Sequence, residues 1–252
     1  MKITIITVCK NSEQFLQETI DSVISQTYND IEYIVIDGAS IDNTIKIIEY
    51  NAKHIHYWIS ESDNGMYCAI NKGLSIATGD YVLILNSDDV LANCDTIETV
   101  VKEINKEKLD FYFGNIVKCK SIEITKTQLF NVSYNQLLYS KHCTFVPHPC
   151  LFISKNLNLK LGGYNDTFKY ASDYDYILRA LNTTGVKGVH ISTFITKFRL
   201  HPNSITASGK INKEREAILL LHGYLNKSKL KRVFYYYILW IYYKIINLKY
   251  KI

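Results

Sequence analysis

The sequence predicts an α/β fold in which a mostly parallel central sheet is flanked by helices. Short apolar runs alternate with segments whose apolar residues recur at helical spacing, and several of the runs end abruptly in polar residues. Runs of this length, rich in Val, Ile and Leu, are typical of strands buried on both faces. Polar residues at their ends fit an open α/β sheet, in which ligands lie outside the carboxyl ends of the strands. At 252 residues the chain can form one large domain with a C-terminal extension.

The first half of the chain alternates strand and helix regularly. Strands are predicted at 2–8, 32–36, 56–59 and 81–85, and helices at 15–24, 43–51, 65–77 and 93–106. Asn11 or Ser12 is expected to cap the first helix, and Asp42 the second. Repeated strand–helix units imply parallel strands joined by right-handed crossovers. Neither G-x-G-x-x-G after the first strand nor G-x-x-x-x-G-K-[ST] occurs, which argues against dinucleotide-binding and P-loop proteins.

The second half is less regular. Strands are predicted at 110–117 and 122–129, extended segments at 143–153 and 186–198, a turn at 162–163, and helices at 133–140, 172–181 and 211–225. Pro147 and Pro149 exclude a helix in the first extended segment. Gly114-Asn115 is expected to interrupt the strand that contains it. Ser172 is a candidate N-cap of the helix that it begins.

Positive charge is concentrated at the C-terminus. Residues 227–252 carry seven Lys and Arg and no acid, whereas the rest of the chain carries 22 basic and 24 acidic side chains. A body so close to neutral argues against a nucleic-acid-binding surface. Within the tail, residues 233–243 form a run of eleven apolar or aromatic residues, too few to span a bilayer. The Trp, the Tyr residues and the flanking cations favour an anionic membrane surface, and packing on the body or on a second subunit of a homodimer is the alternative.

Six cysteines are scattered along the chain without any C-x-x-C pair or zinc-like spacing. This distribution predicts reduced thiols in a cytoplasmic protein. The N-terminus enters a strand pattern directly and shows no signal-peptide pattern. We therefore expect a cytoplasmic protein that binds the inner face of the cell membrane peripherally through its tail.

The polar residues that follow the strand at 81–85 are the first candidates for chemistry. Asn86, Asp88 and Asp89 offer the hard oxygen ligands that suit a divalent cation, and such a cation in turn suits a phosphate. The alternative is a polar turn that caps the next helix. Asp37 follows another buried strand, where a carboxylate can accept the imide N–H of a uracil or ribose hydroxyls, or form part of a turn.

Two carboxylates, Asp173 and Asp175, stand in the first turn of the helix predicted at 172–181. They either complement the helix macrodipole or include a general base, because a helix N-terminus holds an aspartate rigidly and keeps it ionised. His201, on a loop, is a candidate metal or phosphate ligand, and His148, between two prolines, is a weaker one. For both histidines a structural role is the alternative.

Eight ordered stretches resemble the motifs of a known family. They are residues 5–11, 35–42, 60–65, 71–73, 77–80, 85–89, 162–165 and 172–175. Each is weak alone, but the ordered set is specific and spans about residues 3–180. The chain resembles a family 2 glycosyltransferase of the bacterial kind that builds surface polysaccharides.

The resemblance implies a GT-A fold, an inverting mechanism and a nucleotide-sugar donor, usually a UDP-sugar, with Mn²⁺ or Mg²⁺ as cofactor. Asp173 matches the family's catalytic base, and Asp88 matches the metal ligand of its D-x-D motif, with His201 as a further metal candidate. The residues expected to contact the nucleotide sugar are Thr7, Cys9, Asn11, Asp37, Asp63, Lys72, Asn86, Ser87 and Asp89. Among these, Thr7 and Cys9 would line the nucleobase of the donor. Asp37 would bind the uracil or ribose, and Asp89 would lie toward the donor sugar.

Three positions depart from the family pattern. Asn86 replaces the first acid of D-x-D and is a weaker metal ligand. Ser172 replaces the usual acid before the base, and Cys68 stands where many relatives have Asp. These departures keep a second hypothesis open, in which the protein is a catalytically impaired nucleotide-sugar-binding or scaffold protein.

The resulting prediction has three segments. Residues 1–109 would bind the nucleotide sugar, 110–226 would bind a saccharide acceptor, and 227–252 form the basic aromatic tail. Such a tail would suit an acceptor linked to a polyprenyl diphosphate at the membrane. A sugar nucleotidyltransferase is a less favoured alternative, because it needs a Gly-rich basic loop where Cys9-Lys10-Asn11-Ser12 stands.

Overall fold

The computed structural model describes residues 1–120, 123–128, 146–200 and 211–222. Nine strands within these residues form one sheet. The strands are β1 (Ile3–Cys9), β2 (Ile31–Asp37), β3 (Tyr57–Ser60), β4 (Tyr81–Ile84), β5 (Val90–Leu91), β6 (Phe111–Lys120), β7 (Glu123–Gln128), β8 (Leu151–Ser154) and β9 (Gly188–Arg199). The helices are α1 (Leu16–Ile24), α2 (Thr44–Tyr50), α3 (Met66–Ile76), α4 (Thr96–Lys106), α5 (Lys155–Leu161), α6 (Ser172–Asn182) and α7 (Ile211–Leu221).

The strands are ordered β3-β2-β1-β4-β8-β6-β9-β5, and β7 pairs with β6. From β3 to β4 every pair is parallel, which confirms the prediction for the first half of the chain. Beyond β4 the sheet is mixed, because β8 runs antiparallel to both β4 and β6, whereas β6 and β9 are parallel. The expectation of a mostly parallel sheet therefore holds only as far as β4. The antiparallel β8 joins the second half of the chain to β4.

Burial explains why the first strands are continuous apolar runs. Every residue of β1 and β4 is buried, as are the last five residues of β2. The helix α3 packs on β1 and β2 and buries Tyr67, Ala69 and Ile70. Burying a large apolar side chain contributes about 1.5–3 kcal/mol. These central strands therefore form a rigid base for the loops at their carboxyl ends.

Two predicted helix caps are wrong. α1 begins at Leu16 without a side-chain cap, because the Asn11 side-chain oxygen instead accepts the backbone N–H of Ile41 at 3.0 Å. The Ser12 hydroxyl is hydrogen-bonded to that of Ser87 at 2.9 Å. Ser172 lies inside the first turn of α6, and its hydroxyl is buried without a hydrogen-bond partner.

Asp42, by contrast, serves the first turn of α2, since its Oδ1 accepts the N–H of Thr44 at 3.0 Å. At the predicted local break, Gly114-Asn115, β6 does not end, but its register with β9 shifts there. The elements β5 and α5 were not expected from the sequence.

The predicted helix at 133–140, His201 and the tail at 227–252 lie outside the described residues. Among the helices that the structure describes, none combines the length and the apolar character that crossing a membrane requires. The five cysteines in the described ranges, Cys9, Cys68, Cys94, Cys119 and Cys150, are all free thiols.

Candidate active site

A cavity of about 600 Å³ opens at the carboxyl ends of β1 and β4. Seven of the predicted site residues line it, namely Cys9, Asn11, Asp63, Asn86, Ser87, Asp88 and Asp173. Asp173 comes from the first turn of α6, more than eighty residues after Asp88 in the chain. The fold therefore brings the predicted metal ligand and the predicted base to one cavity.

The other predicted residues in the described part of the chain do not line the cavity. Thr7 is fully buried and its hydroxyl accepts a hydrogen bond from the Tyr33 hydroxyl at 3.2 Å. Lys72 forms an ion pair with Glu61. The structure therefore does not bring these two side chains into the cavity lining.

Asp37 is fully buried at the end of β2 and holds the loop that follows. Its carboxylate accepts hydrogen bonds from the Ser40 N–H at 2.9 Å and the Ser60 hydroxyl at 2.6 Å, and also from the Ser40 hydroxyl. The Cys9 thiol donates to it at 3.5 Å. Burial, followed by the Asp37 charge, raises the pKa of the Cys9 thiol, so this cysteine stays protonated in the cavity wall.

Asp88 and Asp89 differ sharply although they are adjacent. Asp88 lines the cavity, whereas Asp89 is fully buried. Asp89 accepts the Arg199 N–H and the Asn86 side-chain N–H, both at 3.1 Å. Burial, and then the nearby Asp88 charge, raises the pKa of Asp89 well above its usual value. Asp89 is thus anchored beneath the loop, while Asp88 is presented to the cavity.

The end of β9 also supports this loop. The Arg199 Nε donates to the Asp88 carbonyl oxygen at 3.1 Å, and its guanidinium pairs with Glu18 on α1. The same guanidinium lies over the Phe15 ring, 4.3 Å from the centroid. Arg199 therefore links β9, α1 and the acidic loop, which is a role that its position in the sequence did not indicate.

The residues at this loop fit a divalent cation in part. The Asn86 Nδ2 donates to Asp89, which leaves Oδ1 as the amide atom that can act as a ligand beside the Asp88 carboxylate. Such oxygen ligands suit Mn²⁺ or Mg²⁺. Within the described ranges, however, no group of three or more His, Cys, Asp and Glu side chains is arranged to hold a metal. A cation here would need further ligands beyond these side chains, such as oxygen atoms of a bound phosphate.

Asp173 lines the cavity and is hydrogen-bonded to an aromatic side chain. The Tyr67 hydroxyl, from α3, donates to the Asp173 Oδ1 at 3.2 Å. Burial, and then the Asp173 charge, raises the pKa of Tyr67, so the phenol remains a hydrogen-bond donor. The Tyr174 N–H also donates to Oδ1, at 2.8 Å, so both bonds fall on one carboxylate oxygen and Oδ2 remains as a further acceptor.

Tyr164 lies at the centre of a cluster of rings that also contains Tyr67, His148 and Tyr176. Its ring stacks on Tyr176, with centroids 4.1 Å apart, and on Tyr67 at 5.8 Å. Its hydroxyl is hydrogen-bonded to the His148 Nε2 at 2.7 Å. His148 also lines the cavity, and burial lowers the pKa of its imidazole. The Asn71 side chain binds the Tyr164 backbone twice, accepting its N–H and donating to its carbonyl oxygen, each at 2.8 Å.

Sequence reasoning missed Tyr67 and Tyr164 and gave His148 little weight. Tyr67 lies on the apolar face of α3, where a buried tyrosine is read as core. Tyr164 belongs to the stretch at 162–165, which was noted only as a motif. Their roles depend on contacts 16 to 106 residues apart in the chain, which no local pattern reveals.

Comparison with known proteins identifies the family of the chain. The sequence profile described as Glycosyl transferase family 2 matches residues 4–162, more than half of the chain. The uncharacterized glycosyltransferase Rv1514c of Mycobacterium tuberculosis is 32% identical over 184 residues, covering 71% of this chain and 68% of that protein. WfgD of Escherichia coli, a UDP-Glc:alpha-D-GlcNAc-diphosphoundecaprenol beta-1,3-glucosyltransferase, is 28% identical over 237 residues, covering 92% of this chain and 90% of WfgD.

Solved structures share the fold. S. aureus TarS 1-349 in complex with UDP-GlcNAc matches with a TM-score of 0.71 at 18% identity, covering 87% of this chain and 66% of that chain. Mannosyltransferase PcManGT from Pyrobaculum calidifontis, in complex with GDP-Man and Mn²⁺, matches with a TM-score of 0.63 at 19% identity, covering 82% and 59%. This chain thus spans less than two thirds of either solved chain. The predicted GT-A fold is confirmed, and the chain belongs to glycosyl transferase family 2.

Proposed function

We propose that this glycosyltransferase moves a sugar from a UDP-sugar to a hydroxyl of a lipid-linked saccharide, with inversion at the anomeric carbon. The observation that carries the proposal is the shared cavity, which both Asp88 and Asp173 line. Asp88 and Asn86 offer oxygen ligands for a cation-bound diphosphate, and Asp173 offers a carboxylate for an attacking hydroxyl. A single displacement needs both groups in one cavity.

A uridine diphosphate donor is supported by the relatives. WfgD is named for UDP-Glc, and TarS was solved with UDP-GlcNAc. PcManGT was solved with GDP-Man. The transfer assay therefore includes a guanosine donor, which tests the identity of the nucleobase. Cys9, Asn11 and Asp63 line the part of the cavity nearest β1 and β2 and are the proposed contacts of the nucleoside.

A membrane-linked acceptor is supported by WfgD, whose named acceptor is a diphosphoundecaprenol-linked GlcNAc. The basic aromatic tail at 227–252 suits such an acceptor, because cations and aromatic residues favour an anionic membrane surface. We therefore propose a peripheral protein at the inner face of the cell membrane that acts in surface-polysaccharide synthesis. A homodimer formed through the tail is the alternative role of this segment.

In the proposed reaction, Asp173 accepts the proton of the acceptor hydroxyl as its oxygen attacks the anomeric carbon. Tyr67 orients the carboxylate through its bond to Oδ1. A divalent cation, held by Asp88 with Asn86 and His201 as further candidates, would offset the negative charge of the departing diphosphate. Because attack comes from the face opposite the leaving group, an α-linked donor gives a β-linked product.

The test is a transfer assay with a synthetic lipid-diphosphate-linked GlcNAc. UDP-Glc, UDP-Gal, UDP-GlcNAc, UDP-GalNAc and GDP-Man are each supplied with Mn²⁺, with Mg²⁺ or with EDTA. We expect one UDP-sugar to be used in a metal-dependent reaction, with the anomeric configuration of the product assigned by NMR. Asp173→Asn should abolish transfer while retaining UDP binding, and Asp95→Asn, at an exposed carboxylate, should retain both. UDP binding without any transfer by the wild type would instead support the scaffold alternative.

A further inference from the structure

The helix α7 holds the segment that leads into the proposed base. The Glu214 Oε1 accepts the backbone N–H of Lys169 at 3.0 Å. Its Oε2 accepts the N–H of Tyr170 at 2.7 Å and that of Ala171 at 2.9 Å. One side chain therefore satisfies three consecutive backbone donors, and the last of them is two residues before Asp173.

Within the first turn of α6, the Asp173 Oδ1 accepts the N–H of Tyr174 at 2.8 Å, but it does not reach the segment before the helix. Ser172, at the start of the helix, is buried with its hydroxyl unpartnered, and Ala171, at the N-cap position, has no side-chain oxygen. The first N–H groups of a helix need an acceptor from somewhere. Glu214 supplies an acceptor to the N–H groups just before α6, the last of which belongs to the N-cap residue Ala171, forty-three residues away in the chain.

A second set of bonds fixes α6 on the other side of Asp173. The buried Asp175 carboxylate is hydrogen-bonded to the His222 Nε2 at 2.8 Å and accepts the Arg179 Nε at 2.7 Å. Arg215, next to Glu214, lies over the Tyr174 ring, 5.2 Å from its centroid. Contacts from α7 and from the residue after it therefore flank Asp173 on both sides. Glu214 binds the backbone of residues 169–171, before Asp173, and His222 binds Asp175, after it.

We propose that Glu214 is a positioning residue for Asp173, in the reaction proposed above, on which this inference rests. Glu214 does not line the cavity, so it acts through the backbone of 169–171 rather than on substrate. Without its carboxylate, three N–H groups lose their acceptor, and one of them belongs to the fully buried Ala171. The segment would then shift, and a small misplacement of a base lowers the rate steeply.

The matched variants are Glu214→Ala, Glu214→Gln and Glu216→Ala. Glu216 lies on the same helix but is exposed, so its variant controls for loss of a charge from α7. Glu214→Gln keeps one acceptor oxygen and the size of the side chain, so it can restore the pair of bonds to Tyr170 and Ala171. We expect Glu214→Ala to lower kcat at least about tenfold, with the UDP Kd within about twofold of wild type. Glu214→Gln should lie between Glu214→Ala and Glu216→Ala.

Hydrogen–deuterium exchange of the peptide that covers 168–176 gives a readout independent of turnover. Exchange should accelerate in Glu214→Ala and stay at the wild-type rate in Glu216→Ala. If the wild type itself transfers no sugar, the proposed function fails. The exchange result still shows whether Glu214 stabilises the backbone of residues 169–171. The inference is overturned if kcat of Glu214→Ala stays within about twofold of Glu216→Ala. It is also overturned if exchange is unchanged, or if UDP affinity falls as much as kcat. Should Glu214→Ala fail to fold, Glu214→Gln is judged by the same criteria.

Discussion

The Tyr67 hydroxyl donates a hydrogen bond to the Asp173 Oδ1 across a distance of 3.2 Å. The two residues come from α3 and α6, 106 positions apart in the chain. Both line the cavity, and the remaining oxygen of Asp173 is the one available to an acceptor hydroxyl. This bond joins the two halves of the chain at the proposed base.

Replacing Tyr67 with Phe should lower kcat about tenfold, because a hydrogen bond to a charged group contributes about 1.5–3 kcal/mol. The KM of the donor should change little, since the phenol orients the base and not the nucleotide. Initial rates at saturating donor and acceptor measure the effect. Tyr50→Phe, which removes a hydroxyl from a side chain that is 82% exposed, is the control. Equal rates for the two variants would contradict the positioning role of Tyr67.

Asp88→Ala should remove the effect of Mn²⁺ on UDP binding. Because the described part of the chain offers no three-residue metal cluster, we expect Mn²⁺ alone to bind weakly and UDP with Mn²⁺ to bind at least about tenfold more tightly than UDP with EDTA. Calorimetric titrations of the wild type and of Asp88→Ala measure both quantities. Asp95→Ala should behave as wild type. If the metal still strengthened UDP binding to Asp88→Ala, another residue would have to be the ligand.

Gly163→Ala should destabilise the protein more than Gly185→Ala. Both glycines have left-handed backbone, with φ of +79° and +80°, and an alanine there costs about 1–2 kcal/mol. A Cβ at Gly185 meets nothing within 4 Å, whereas one at Gly163 would lie 2.7 Å from the Asn71 Oδ1. That oxygen accepts the Tyr164 N–H, so the clash should cost about 1 kcal/mol more. Urea unfolding measures both losses, and equal losses would show that Asn71 moves freely.

His190 should make stability depend on pH between about 6.5 and 4. Burial lowers the pKa of His190 from 6.5 to about 4 in the folded state. In that window the unfolded chain binds the additional proton, so the free energy of unfolding falls as the pH falls and is constant with respect to this group above about 6.5. Since the imidazole is partly exposed, we expect about 1 kcal/mol rather than the full shift. His190→Gln should remove this part of the pH dependence, and an unchanged slope in urea unfolding would contradict the assignment.

The sequence predicted the parts of the fold that depend on local pattern. β1, β2 and β4 are buried on both faces, and such strands show as continuous apolar runs. The acidic loop after β4 was predicted for the same reason, because the polar residues follow directly where the buried run stops. Parallel pairing then placed the strand ends side by side.

What the sequence did not reveal depends on distant partners. Asn11 was expected to cap α1, but its side-chain oxygen is used by the Ile41 N–H. Asp88 and Asp89 look alike in the sequence, and only the bonds from Arg199 and Asn86 make one of them structural. Glu214 gave no signal at all, since an acid on an amphipathic helix is ordinarily a solvated side chain.

The double hydrogen bond between Asn71 and Tyr164 limits how segments of this chain can be exchanged with those of a relative. The Asn71 amide pairs with the N–H and the carbonyl oxygen of one residue, as a neighbouring strand would. Any replacement for the region after residue 110 must present a backbone in that place and orientation to α3. A chimaera that alters acceptor choice would therefore best keep 162–165 together with Asn71 and exchange the surrounding loops.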